Sequence, residues 1–136
     1  MKHLLILFAF AGCLFCSSCK KDSQSSTFKF LTSPVWVSDS LLANGIDASG
    51  IGGILKNFKG DAKFNPDGTG YFGTYTGTWR FASAETQIVI LADSLSLPLT
   101  AKIAELTSIS LKVTTSYPNI LNPGAAINIR MTFKAK

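Results

Sequence analysis

Phe64-Asn65-Pro66-Asp67-Gly68-Thr69-Gly70-Tyr71-Phe72-Gly73-Thr74-Tyr75-Thr76-Gly77-Thr78-Trp79-Arg80-Phe81 reads as a tight turn, a strand, a second glycine-marked turn and a second strand. Pro66 presets φ near −65° at the first central position of the turn. Asp67 can bond its own local backbone, and Gly68 takes positive φ at no steric cost. Aromatic residues flank the turn on both sides, Phe64 before it and Tyr71-Phe72 after it. Beyond Gly77, large apolar and polar residues alternate. A period of two puts Trp79 and Phe81 on one face and Thr78 and Arg80 on the other. Trp79 is either a ligand-stacking residue or a core aromatic anchoring a barrel or sandwich, and the weight of aromatic burial in core energetics favours the second.

The same alternation runs outward toward the C-terminus. Residues 87–91 (Q-I-V-I-L) form a strand with apolar residues on both faces. Leu95, Leu97 and Leu99 alternate with Ser94, Ser96 and Pro98, and the proline confines that strand to an edge or bulge. Ile109, Leu111 and Val113 make a half-buried strand, and Ile127, Ile129, Met131 and Phe133 make the strongest one. Residues 115–126 hold Tyr117-Pro118 and Asn122-Pro123-Gly124 and read as a loop long enough to form a rim. Toward the N-terminus, residues 28–31 read as a weak strand or a lead-in segment. Pro34 places residues 33–38, with Trp36 between Val35 and Val37, at a strand start or an edge. Residues 39–60 are the least regular part. There Ile51, Ile54, Leu55 and Phe58 follow i, i+3, i+4, i+7, which predicts a short helix despite Gly52 and Gly53. This glycine-rich stretch lacks the Gly-Lys-Ser/Thr ending of a phosphate loop.

The expectation is an all-β fold: about eight strands in an antiparallel up-and-down barrel, with one short helix near the start. A two-sheet β-sandwich is the alternative.

At 136 residues the chain is one domain, and its formal net charge is +5. The basic residues are scattered over alternating polar positions, as on a solvated sheet face. A nucleic-acid partner would need them clustered. Residues 1–18 read as a signal peptide. Met1-Lys2-His3 is a short positive region, and the apolar run 4–16 is shorter than the roughly 20 residues needed to cross a bilayer. Small residues precede two cysteines, Ser17-Ser18-Cys19 and Ala11-Gly12-Cys13. Either resembles the lipobox of bacterial lipoproteins, whose cysteine becomes acylated and begins the mature chain. Cys19 is favoured, because it leaves a full-length apolar core and is followed by Lys20-Lys21-Asp22-Ser23. That junction is similar to those of many exported Gram-negative lipoproteins, so the resemblance implies an outer-membrane, lipid-anchored protein on its periplasmic or surface face. Acyl chains contribute about 0.8 kcal/mol per buried CH₂, so several chains hold stably where one does not. Residues 19–27 then form a lipidated cysteine and a polar tether, and residues 28–136 the β domain. No cysteine lies beyond Cys19, which excludes a disulfide framework.

From Trp36 through the 64–70 and 77–81 motifs to residues 103–113 (I-A-E-L-T-S-I-S-L-K-V), the chain resembles the lipocalin-like domains of Gram-negative lipoproteins. It departs from lipocalins proper, which carry Gly-x-Trp at the first strand where this chain has Pro34-Val35-Trp36. The resemblance implies a small barrel with an apolar interior.

The sole histidine, His3, lies in the leader. Without it and the leader cysteines, the domain has no residues for Ser-His-Asp or Cys-His catalysis, nor for a His- or Cys-based zinc site. Neither catalytic residue, metal nor cofactor is expected. Asp61 and Asp67 flank the central hairpin, but aspartate is common there anyway. The expected function is non-enzymatic binding of a small apolar ligand, with Phe58, Tyr71, Tyr75, Trp79 and Tyr117 as contacts. The alternative is a structural or protein-interaction subunit at the outer membrane with a filled core.

Overall fold

The computed structural model describes residues 23–136; the stretch expected to be a signal peptide, both candidate lipidation cysteines and Lys20-Lys21-Asp22 lie outside them. The chain order is α1 (Ser26–Thr32), β1 (Trp36–Ala43), β2 (Ile46–Asp47), a 3₁₀ turn (Lys56–Phe58), β3 (Asp61–Phe64), β4 (Thr69–Phe72), β5 (Tyr75–Ala82), β6 (Gln87–Ala92), β7 (Leu99–Leu106), β8 (Ser110–Tyr117) and β9 (Ile127–Ala135). β1 and β3 to β9 form a closed eight-stranded antiparallel up-and-down barrel, with β2 as a small flap on β1. Closure is made by β1 on β9, in register from Trp36↔Ala135 to Ala43↔Ile129 with one bulge between Ser38 and Ser40. One continuous sheet excludes the sandwich.

Alternation decides what points inward. Leu111 and Val113 of β8 face Phe133 and Met131 of β9 across the ladder, and all four are buried. On the opposite wall, Gly70, Gly77 and Ala92 occupy one row across β4, β5 and β6. A Cβ on Gly70 or Gly77 would overlap the backbone of the neighbouring strand, at Lys63 O or Leu91 O, so this row is held to small residues.

The predicted 64–81 hairpins are present. Gly68 sits at φ +86° and its N–H donates to Asn65 O at 3.0 Å. The Asp67 carboxylate accepts the Thr69 backbone N–H at 2.9 Å and the Thr69 hydroxyl at 2.6 Å. The Thr69 hydroxyl bond, then its N–H bond, hold the Asp67 carboxyl below its ordinary value of 3.8. A depressed carboxylate contributes stability that is present above the unfolded pKa and is lost as pH falls through the folded one. Titration of Asp67 by NMR is therefore expected to show a midpoint below 3.8, and Thr69→Val is expected to move it back up. An unchanged midpoint in that variant would refute the assignment.

The helix lies elsewhere than the periodicity of residues 51–58 suggested. Gly52, at φ +81°, breaks that run into turns, and only Lys56–Phe58 completes a single 3₁₀ turn. The helix is α1, within the stretch read as tether and lead-in strand. Ser25 caps it, its Oγ accepting the Phe28 N–H at 3.0 Å. Pro34 lacks an N–H and cannot extend it. Lys63 of β3 closes the C-terminal end, donating to the carbonyls of Thr32, Ser33 and Pro34 at 2.6–3.1 Å. A cation suits that position, where unpaired carbonyls carry the negative end of the helix dipole. Leu31 and Trp36 are both 0 % exposed, and Trp36 Nε1 donates to Leu31 O at 3.0 Å. α1 thus plugs one end of the barrel.

Two further expectations are corrected. Residues 94–98 are not a strand: β6 ends in a turn at Asp93-Ser94, and β7 begins only at Leu99. Residues 39–43, read as irregular, continue β1 to a tight turn at Asn44-Gly45, both at positive φ.

An apolar pocket at the open end

The barrel has two unlike ends. At the α1 end lie the 65–68 turn, the β5–β6 turn and Lys136, whose N–H donates to Val35 O at 2.8 Å. At the other end lie the β1–β2 turn, residues 48–58, Gly73-Thr74, and the loops 93–98 and 118–126.

The open end holds a pocket of about 290 Å³, walled by Phe58, Tyr75, Leu99, Tyr117, Ile129 and Met131 and flanked by Leu95 and Leu97. The wall residues come from five elements of the fold. Leu99 starts β7, Tyr117 ends β8, and Ile129 and Met131 point inward from β9. Phe58 arrives on the 3₁₀ turn and packs on Tyr75 with ring centroids 4.8 Å apart. Gly73, at φ +62°, permits this contact. Its Cα faces the Asn57-Phe58 backbone so closely that a Cβ would overlap the Asn57 carbonyl. The Thr74 N–H also donates to Asn57 O at 2.8 Å, which fixes the 3₁₀ turn over the mouth.

Below the pocket the interior is filled. Phe64, Phe72, Ile88, Leu111, Val113 and Phe133 surround a residual void of only about 20 Å³. The cavity is therefore a cup in one end and not a channel.

Of the five predicted contacts, the fold brings Phe58, Tyr75 and Tyr117 together in this cup. Tyr71 is on the outer face, 37 % exposed, because it follows Gly70 and precedes Phe72, both of which point inward. Trp79 is buried toward the closed end. Its Nε1 donates to Asn65 O at 2.9 Å, and its ring meets Phe64 and Phe81 edge-on at 5.5 and 5.3 Å. It also packs on Phe28 of α1 at 6.0 Å. Trp79 is a core aromatic joining helix to barrel. Leucines 95, 97 and 99 and Met131 carry no sequence signal that marks them as pocket residues.

No protein-family model and no curated protein matches the chain. Around the cup, Ile51, Ile54, Leu97, Ile120 and Leu121 stand exposed on three loops, which extends its apolar lining into a rim. Asp61 and Asp67 do not meet. Asp61 Oδ2 is bonded by Lys136 Nζ at 2.9 Å, and Asp67 is engaged by Thr69. Among the described residues, no group of three or more histidines, cysteines or carboxylates is placed to hold a metal ion. No described helix is long and apolar enough to cross a membrane.

Proposed function

We propose that this chain is an exported, lipid-anchored binding protein of lipocalin-like type, without catalytic activity of its own, whose barrel takes a small apolar ligand at its open end. The observation that carries the reading is the 290 Å³ apolar cup behind an apolar rim. Its size sets the ligand class. It is roughly twice the ~150 Å³ apolar cavity that accommodates benzene, and close to the lower bound of about 300 Å³ for ligand pockets. A one- or two-ring hydrocarbon skeleton fits, or the terminal part of an acyl chain. The Tyr75 and Tyr117 hydroxyls are the polar handles within reach. The lipid anchor rests on the Ser17-Ser18-Cys19 junction.

The first test is native mass spectrometry of the protein released from its host's membranes. A reproducible added mass, lost on denaturation, is expected. A bare polypeptide would refute a resident ligand. Leu97→Trp is expected to fill the mouth and weaken binding of a fluorescent naphthalene probe at least about tenfold, since the apolar burial denied to the probe is worth about 1.5–3 kcal/mol. Fluorescence titration measures this, and equal affinity in the variant would sink the assignment of the cup. Cys19→Ala is expected to abolish incorporation of labelled fatty acid. Label retained in Cys19→Ala but lost in Cys13→Ala would move the anchor to Cys13.

A further inference from the structure

Outside the barrel lies a groove of about 730 Å³ across the outer faces of β7, β8 and β9. Its existence has a structural cause. β7 and β8 pair at Lys102↔Thr114 and Ile103↔Val113, but the ladder does not continue to Thr100 and Ser116. In its place the Thr115 hydroxyl donates to Thr100 O at 2.6 Å, bridging strands that splay toward the open end. On the far side, the β1–β2 turn at Gly45 forms the opposite wall.

The register lays out the chemistry. Lys102, Thr114 and Arg130 stand directly opposite one another across three strands, and all three line the groove. Two strand spacings of about 4.8 Å put the two cationic residues about 10 Å apart at the backbone, with the Thr114 hydroxyl between them. Toward the open end, Ser116 and Asn128 form a second polar pair, with Ser116 Oγ donating to Asn128 Oδ1 at 3.4 Å. No carboxylate lines the groove. The three ion pairs among the described residues engage Lys112, Lys134 and Lys136, so Lys102 and Arg130 are not neutralised by them.

We infer that this groove is a binding site for an acidic saccharide, distinct from the apolar cup. Three features select that class. Two uncompensated cations with no carboxylate between them call for an anion, and Arg130 offers the planar donor fork that suits carboxylate and sulfate oxygens. Hydroxyl and amide side chains, which both donate and accept, match a ligand rich in hydroxyl groups. The volume far exceeds one isolated oxyanion and accommodates several sugar rings. No aromatic side chain lines the groove, so recognition rests on charge and hydrogen bonds, and affinity falls as salt rises.

The test is isothermal titration of the full chain, purified from its host, with four probes: an oligogalacturonate (carboxylates), a sulfated oligosaccharide of similar length, neutral maltohexaose and inorganic sulfate. Saturable one-to-one binding of at least one acidic probe is expected, with the neutral probe at least tenfold weaker. Which acidic probe binds tighter tells carboxylate from sulfate as the preferred charge. Lys102→Gln and Arg130→Gln are each expected to weaken binding at least about tenfold, through loss of a charge-assisted hydrogen bond. Both residues are exposed, so neither change threatens the fold. Lys134→Gln, which removes a cation paired with Asp39 outside the groove, is expected to leave binding unchanged. The inference is overturned if neither acidic probe saturates. It is equally overturned if Lys134→Gln weakens binding as much as Arg130→Gln, or if inorganic sulfate binds as tightly as the oligosaccharides.

Discussion

Replacing Trp36 by alanine lowers the free energy of unfolding by about 3–5 kcal/mol, the range for removing a large aromatic from a packed core. The residue is 0 % exposed at the start of β1, where the closing strand, α1 and β3 meet. Its loss removes apolar burial and also the donor that satisfies Leu31 O. Domains of this size are stable by only about 5–15 kcal/mol, so the variant sits at the edge of folding. Urea unfolding measures the shift, with an unchanged denaturant slope marking a true stability change. Trp36→Phe separates the two contributions. It keeps most of the burial but strands a buried carbonyl, for an expected loss of about 1–3 kcal/mol. A loss under about 1 kcal/mol in Trp36→Ala would mean that this residue does not hold α1 against the barrel.

Gly77→Ala is expected to be nearly as damaging, at about 3 kcal/mol, although it adds one methyl group. That Cβ would overlap the Leu91 carbonyl and lie 2.8 Å from the Ala92 Cα. These atoms belong to the neighbouring backbone, so no rotamer change relieves the contact. The β5–β6 ladder must open locally. Hydrogen exchange locates the damage: faster exchange of the Thr78 and Leu91 amides, partners across β5 and β6, is expected, with β8 and β9 unchanged. A variant as stable as the parent would show that the close approach of β5 and β6 does not need glycine.

Such asymmetries explain what could be read from the sequence. Asn65-Pro66-Asp67-Gly68 and the alternation of residues 127–133 are local signals, and both read correctly because turn chemistry and period-two burial act over a few residues. Closure of β1 on β9 has no local signature; alternation alone fits a barrel and a sandwich equally. The position of the helix is hidden because residues 28–31 alternate F-K-F-L, compatible with either period, while Ser25 as its cap is inconspicuous in a serine-rich stretch. Residues 51–58 show the converse, helical spacing defeated by Gly52. At the open end, Phe58, Tyr75 and Tyr117 are legible as aromatics beside turns. The outward direction of Tyr71 follows from its parity with Phe72. Leu95 and Leu97 look like strand residues, and only Pro98 and the turn at Asp93-Ser94 make them a loop over the cup. The outer groove is not visible in the sequence at all, because Lys102, Thr114 and Arg130 meet only through register.

The pairing of the first strand with the last also governs the order of events in folding. Residues 36 and 135 are partners, so the ring cannot shut until the final nine-residue strand is available. Until then β1 and β8 each present a bare edge. Sequence-distant closure of this kind belongs to slow, millisecond-to-second folding, because the entropy of bringing the ends together is lost before any contact offsets it. A growing chain therefore stays an open, pliable ribbon for nearly its whole length, and becomes a barrel only at the last step.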